Sequence, residues 1–328
     1  MRGVLIAALL FLTSCDERGS QVWDASLPWS VKEFHTQNAV RFSEAVHKAT
    51  NGQLTIKIHP GGSLGLKGPG SLRALSEGIV DMAEMPAFQQ VGAEPLLGLD
   101  SLPFLVRDHN ELALLYAIMK PRLETVFAKN NIKIIYMVPW PTQNIYARKK
   151  IESLADMQGT SIRTYDKNTS ELMKRLGLTP IQMPSGDVVS ALASNVVDAV
   201  MTSTTTGAAQ HYWDFLSHIH RTNHVWISNF MAVNLDSWNA LPERTKRTIE
   251  KTATTLEPQF WDVSKADDMD KLKLLVENGI TVVEPSPEMM ANMQALARPM
   301  WIDYATRVGD DAKAIINQFL IETGRAPL

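Results

Sequence analysis

The chain has 328 residues, 45% of them hydrophobic and 20% charged, and 32 Lys+Arg against 35 Asp+Glu give a net charge of -3. That is globular composition with room for two domains of about 150 residues each, and it excludes a disordered chain. No basic run marks a nucleic-acid binder. No apolar run reaches the roughly eighteen residues of a membrane span, so a permease is excluded. The single cysteine, Cys15, rules out an internal disulfide, a Cys₂ or Cys₄ zinc site and a CxxC redox centre.

Arg2 followed by the short apolar stretch Gly3 to Leu12 reads as an export signal. It ends in Leu12-Thr13-Ser14-Cys15, which resembles the lipobox of bacterial lipoproteins, whose cysteine is lipidated and becomes the new N-terminus. Residues 1–15 are expected to be the signal and 16–21 a polar tether. Asp16 resembles the residue that retains some lipoproteins at the inner membrane, so the expected location is periplasmic, with a lipid anchor through Cys15. The alternative is a buried first segment with an incidental cysteine.

The body alternates helices and short strands. Ala39, Val40, Phe42, Ala45, Val46 and Ala49 have helical spacing, stopped by Thr50-Asn51-Gly52. Leu54 to Ile58 alternates like a strand, Pro60 to Gly70 is a glycine-rich loop, and Leu72 to Glu77 a short helix closed by Gly78. Ile79 to Ala83 then reads as a strand. Asp108 with Glu111 resembles a capping box for Leu112 to Met119. The order returns later: helix to Leu176, Gly177, strand Thr179 to Met183, loop Pro184-Ser185-Gly186, helix Val188 to Ser194, strand Val196 to Val200. Ala74-Leu75 with Val80-Asp81 and Ala191-Leu192 with Val197-Asp198 have the same spacing.

The repeat predicts two α/β lobes on one plan, each a mixed, mostly parallel sheet with flanking helices. Ligands in such sheets bind off the carboxyl ends of strands, here Glu84-Met85-Pro86 and Met201-Thr202-Ser203, and two such edges facing each other make a cleft. Glu243 to Asn278 reads either as two helices kinked at Pro258 or as a connector that bends as the lobes close.

Gly61-Gly62-Ser63-Leu64-Gly65 matches the G-x-S-x-G nucleophile pattern, but Lys67-Gly68-Pro69-Gly70 blocks the helix that should follow Ser63. The loop lacks G-K-[ST], and Arg73 breaks a dinucleotide fingerprint. His211, His218, His220 and His224 cluster without a zinc frame. No cofactor or metal is expected. If residues 161–164 form a strand, Ile162 and Thr164 share one face and Arg163 takes the other, where a guanidinium in a cleft suits a carboxylate; a surface arginine is the alternative. Trp140 follows the apolar run Ile132 to Val138 and falls at a strand's carboxyl end. Core packing is expected for Trp238, while Trp140 and Trp226 divide between core and cleft.

Thr50-Asn51-Gly52-Gln53-Leu54, Gly62-Ser63-Leu64-Gly65, Gly78-Ile79-Val80-Asp81-Met82, Leu102-Pro103-Phe104, Met157-Gln158-Gly159 through Ile162-Arg163, Val197-Asp198 and Trp238-Asn239-Ala240-Leu241-Pro242 occur in the order found in DctP-type solute-binding proteins of TRAP (tripartite ATP-independent periplasmic) transporters, which the chain resembles from about Trp23 to Ile321. The resemblance implies a non-enzymatic receptor of two lobes, joined by hinge strands and a long helix, that closes on an organic acid and delivers it to a membrane permease. The first lobe is expected over 22–141 plus about 230–275, the second over about 142–229 plus 276–328. The family's carboxylate-clamping arginine matches Arg163. Gln143 stands where sialic-acid binders carry a second arginine, which argues against that ligand. Thr202 and Ser203 fall near a ligand-binding asparagine, and a further wall maps near Val31 to Phe34. The expected substrate-binding residues are therefore Arg163, Gln143, Trp140, Phe34, Met85, Ser185, Thr202, Ser203 and Trp226. They suit a hydroxy, keto or aromatic monocarboxylate; a sugar acid held by the same clamp, and an exported hydrolase using Ser63, are the alternatives.

Overall fold

The computed structural model describes residues 20–66 and 68–328, so the leader, Cys15 and Lys67 lie outside the described residues. In chain order, β1 (Gln21–Ser26), α1 (Phe34–Ala49), β2 (Leu54–His59), α2 (Ser71–Ser76), β3 (Met82–Pro86), α3 (His109–Lys129) and β4 (Ile132–Pro139) build the first lobe. The chain then crosses into β5 (Gln143–Ala147), β6 (Ser161–Thr164), α4 (Lys167–Arg175), β7 (Thr179–Gln182), α5 (Val188–Ala193), β8 (Ala199–Thr202), α6 (Thr204–Ala209) and β9 (His218–Val225). It returns through β10 (Ser228–Asn234), α7 (Leu235–Asn239) and α8 (Glu243–Glu277), and ends with β11 (Thr281–Val283), α9 (Pro287–Val308) and α10 (Asp310–Glu322).

Two sheets result, in orders β2-β1-β3-β10-β4 and β11-β9-β5-β8-β6-β7. The repeat is real in its hydrogen bonding. Ile79 N donates to Ala74 O and Val196 N to Ala191 O, each at 2.9 Å, after a left-handed residue (Gly78 φ 69°, Asn195 φ 55°) that closes the helix. This turn consumes the residues expected to open each strand, so the strands begin at Met82 and Ala199 instead of Ile79 and Val196. The sheets are mixed, as expected, with five parallel and four antiparallel strand pairings among the described residues. β10 runs antiparallel to both β3 and β4, and β5 antiparallel to both β8 and β9. Each is a strand that has just crossed from the other lobe, and all its residues are buried.

Both crossings are short and lie side by side. Trp140 N donates to Ile227 O at 2.9 Å, and Thr142 Oγ1 to Asn223 Oδ1 at 2.5 Å. A third crossing is α8. It is one helix of 35 residues, not two, because its contacts hold it along its length: it packs on α1 and β4 of the first lobe and on α6 of the second. Glu257 Oε1 accepts from Met137 N and Trp261 Nε1 donates to Met137 O; one turn and a half further on, Asp267 and Asp268 accept from Thr205 and Thr204. The C-terminal segment divides between the sheets: β11 joins β9, α9 touches α4, and α10 packs on α3. Its apolar faces join α3, β5 and β6 in one continuous core behind the crossings.

Candidate functional site

A cleft of about 920 Å³ lies between the lobes, with the two strand crossings at its base. Alternation on β6 sends Ile162 into the core and Arg163 towards the cleft. The Arg163 side chain is only 4% exposed. Its Nε donates to Met183 O at 3.1 Å and Nη1 to Met201 O at 3.4 Å, and its guanidinium stands 5.6 Å from the centre of the Tyr165 ring. Burial pulls its pKa below the ordinary arginine range. Among the described residues no acid lies within ion-pairing distance of it. The adjacent Asp166 is engaged elsewhere: as N-cap of α4 it accepts from Thr169 N at 2.7 Å and Thr169 Oγ1 at 2.6 Å, and burial pushes its pKa up. Two carbonyl contacts leave guanidinium donors for an anion.

Gln143, Trp140, Ser185, Thr202 and Ser203 line the cleft with Arg163. Gln143 Nε2 is tied to Pro141 O at 3.0 Å. Ser203 Oγ is spent on capping α6, where it accepts from Thr206 N, and Ser185 Oγ accepts from Gln210 Nε2 at 2.8 Å. Three expected residues stand elsewhere. Trp226 precedes Ile227 in an extended crossing; Ile227 faces the cleft, so Trp226 faces the core, edge-on to His109 at 4.6 Å. Met85 is fully buried in β3, which has its neighbours β1 and β10 on either side. Phe34 opens α1 from beneath the wall, 5.8 Å from the Trp140 ring. The wall instead contains Trp29, Phe88 and Tyr165. Trp29 meets Trp140 edge-to-face at 4.8 Å, and Phe88 meets Tyr165 across the cleft at 4.6 Å. Their only sequence signal was an aromatic residue in a loop after a strand or on one.

Ser63 is exposed in a turn, and the next helix among the described residues begins at Ser71, so no nucleophile elbow forms there. The histidines serve the second lobe separately: His220 Nε2 accepts from Ile151 N at 2.8 Å, and His224 Nδ1 meets Thr222 Oγ1 at 2.6 Å. No group of three potential metal ligands occurs among the described residues.

Residues 26–307 match the profile of the DctP family, bacterial extracellular solute-binding protein, family 7. The chain belongs to this family. The family 7 receptor is 23% identical over 295 residues to the C4-dicarboxylate-binding periplasmic protein of Rhodobacter capsulatus, covering 85% of each chain. Among solved structures, a Bordetella pertussis extracytoplasmic solute receptor that binds pyroglutamic acid superposes with a TM-score of 0.86 at 28% identity, covering 92% of this chain and 99% of that one. A marine metagenome TRAP solute-binding protein specific for pyroglutamate gives 0.84 at 30% identity, with 92% and 98% covered. The two-lobe α/β fold and the assignment to TRAP solute receptors follow. Among the described residues no helix is long and apolar enough to cross a membrane.

Proposed function

We propose that this receptor captures a small monocarboxylate by pairing it with Arg163 in the interlobe cleft and delivers it to a membrane permease. The observation that carries the reading is the guanidinium itself: a nearly buried cation on a cleft wall with no acid beside it among the described residues. Such a charge is costly until an anion arrives, and a bidentate carboxylate matches its fork. Trp29, Trp140 and Phe88 give the ligand body an aromatic wall. The pyroglutamate binders at 28% and 30% identity make pyroglutamate the first acid to test, ahead of hydroxy, keto and aromatic acids. Sugar acids stay in the screen, because aromatic rings also stack on sugars.

The test is calorimetry on the soluble body after a thermal-shift screen of carboxylates. Arg163→Gln should weaken the best hit at least about 30-fold, since removing one member of a buried charged pair costs about 2–5 kcal/mol. The ligand-free variant should melt no lower than the parent, because an unbalanced buried charge has gone. Full affinity in Arg163→Gln would remove this residue from the mechanism. Lipidation of Cys15 would hold the receptor at the inner membrane in this reading; Cys15→Ser should then move it from the membrane to the soluble periplasmic fraction.

A further inference from the structure

Arg163 shares its side of the cleft with an acid. Asp166, in the turn that leads from β6 into α4, is half-buried and lines the same cleft. Its Oδ1 accepts from Thr169 N at 2.7 Å and Thr169 Oγ1 at 2.6 Å, which fixes the carboxyl at the start of α4. The carboxyl also meets the first lobe. The Ser101 hydroxyl stands against it, and Asn168 Nδ2 donates to Ser101 Oγ at 3.0 Å and to Gly98 O at 3.3 Å. Held in this way, Asp166 makes no ion pair with Arg163, yet the two groups feel one another. Burial raises the Asp166 pKa and lowers that of Arg163, and each charge works against that shift in the other. The other ionisable groups around Asp166 are Tyr165 beside it, Asp100 of the first lobe, and Lys167 and Arg307 along the cleft. Burial pushes the Tyr165 hydroxyl far above its ordinary range and Asp100 up to about 8. A carboxylate arriving at Arg163 therefore enters a cleft that already holds an acid. It takes over the cation that favours ionised Asp166 and adds a like charge nearby. Both changes favour the protonated form.

We infer that Asp166 takes up a proton as a carboxylate binds Arg163, so that this one residue couples the receptor's affinity for its ligand to pH. The proton comes from the solvent and stays on the Asp166 carboxyl until the ligand leaves. The coupling is reciprocal: the ligand raises the proton affinity of Asp166 by the factor by which the proton raises the affinity for the ligand. Binding therefore weakens with rising pH between the Asp166 pKa of the empty protein and that of the complex, and is level outside that window. The inference rests on the proposed Arg163 pairing and adds a regulator to it.

The test is calorimetry of L-pyroglutamate binding from about pH 5 to 8, at each pH in a pair of buffers that differ in ionisation enthalpy, which counts the protons taken up. The carboxyl of the ligand is ionised throughout this range. At its maximum the parent should take up roughly half to one proton, and the dissociation constant should rise there by up to about tenfold per pH unit. Asp166→Asn keeps a good N-cap for α4. In that variant uptake should vanish and the pH dependence flatten. At about pH 8 it should bind the ligand several-fold more tightly than the parent does, where loss of a merely structural residue would weaken binding. No uptake by the parent overturns the inference and leaves the Arg163 reading standing. The same uptake in Asp166→Asn places the proton elsewhere and also overturns it. If pyroglutamate does not bind, the Arg163 reading loses its first ligand, and the coupling is decided without one. The Asp166 carboxyl, followed by carbon NMR of aspartate-labelled protein and assigned by its absence from Asp166→Asn, should titrate at higher pH in Arg163→Gln than in the parent. An unshifted midpoint overturns the coupling.

Discussion

Asp100 is a carboxyl group that the fold keeps away from water. It is 1% exposed, accepts from Tyr116 Oη at 2.6 Å, and burial pushes its pKa to about 8. An unfolded aspartate titrates near about 4. Between those values the unfolded chain has lost its proton while the folded chain keeps it, so stability is fully present below about pH 4 and declines as pH rises towards 8. Two buried histidines act in the opposite sense. Burial lowers His220 to about 4 and His224 to about 3, so they cost stability as pH falls below about 6.5, where unfolded histidine takes up its proton. Of these three groups only Asp100 acts between about pH 6.5 and 8. There the urea midpoint should fall with rising pH, by up to roughly 1 kcal/mol of stability per pH unit. Asp100→Asn should flatten that slope. An unflattened slope in the variant would mean Asp100 is already ionised in the native protein.

At the level of elements, the helices and the internal repeat were legible because their signals are local: helical spacing, a left-handed residue at each helix end, and the Val-Asp pairs. The sheet order was not. β10 and β5 reach their places only by crossing between lobes, and nothing within Ser228–Asn234 or Gln143–Ala147 records an antiparallel neighbour on each side. The parity of the extended crossing was equally hidden, so the sequence could not tell whether Trp226 faces the cleft or, as it does, the core. Pro258 left open whether residues 243–278 form two kinked helices or one connector, and one connecting helix forms. The proline sits on the exposed face of α8, where the helix runs on although the Thr254 carbonyl loses its usual donor. The grips at Met137 and at Thr204 and Thr205 keep the helix continuous across this defect. Pro258→Ala should therefore stabilise the ligand-free protein, by about 1–3 kcal/mol of the helix-interior cost of proline, read from urea unfolding. A loss of stability would mean that the bend at Pro258 is what lets α8 reach both lobes.

At the scale of the whole molecule, Arg163 could be found in advance because strand alternation and the family pattern agree on one residue. Trp29 and Phe88 could not, because they reach the cleft wall only when the segments after β1 and β3 come together with the two crossings. Charge adds a property that no single element has. The chain carries a net charge of -3, which repels an anionic ligand at long range, yet the cleft is lined by Lys167 and Arg307 as well as Arg163. Lys167 and Arg307 are exposed, and among the described residues neither has an acid within ion-pairing distance. Exposed cations beside a narrow opening attract anions over about one Debye length, roughly 10 Å at 0.1 M salt, while the buried Arg163 is screened much less. The two ranges separate in kinetics. Raising salt from about 20 to 200 mM should slow carboxylate association several-fold and change dissociation little. The combined Lys167→Ala and Arg307→Ala protein should start slower and lose most of that salt dependence, with dissociation unchanged if the proposed Arg163 pair holds the bound state. Stopped-flow fluorescence can follow both rates. A variant that keeps the full salt slope would place the steering field elsewhere on the lobes.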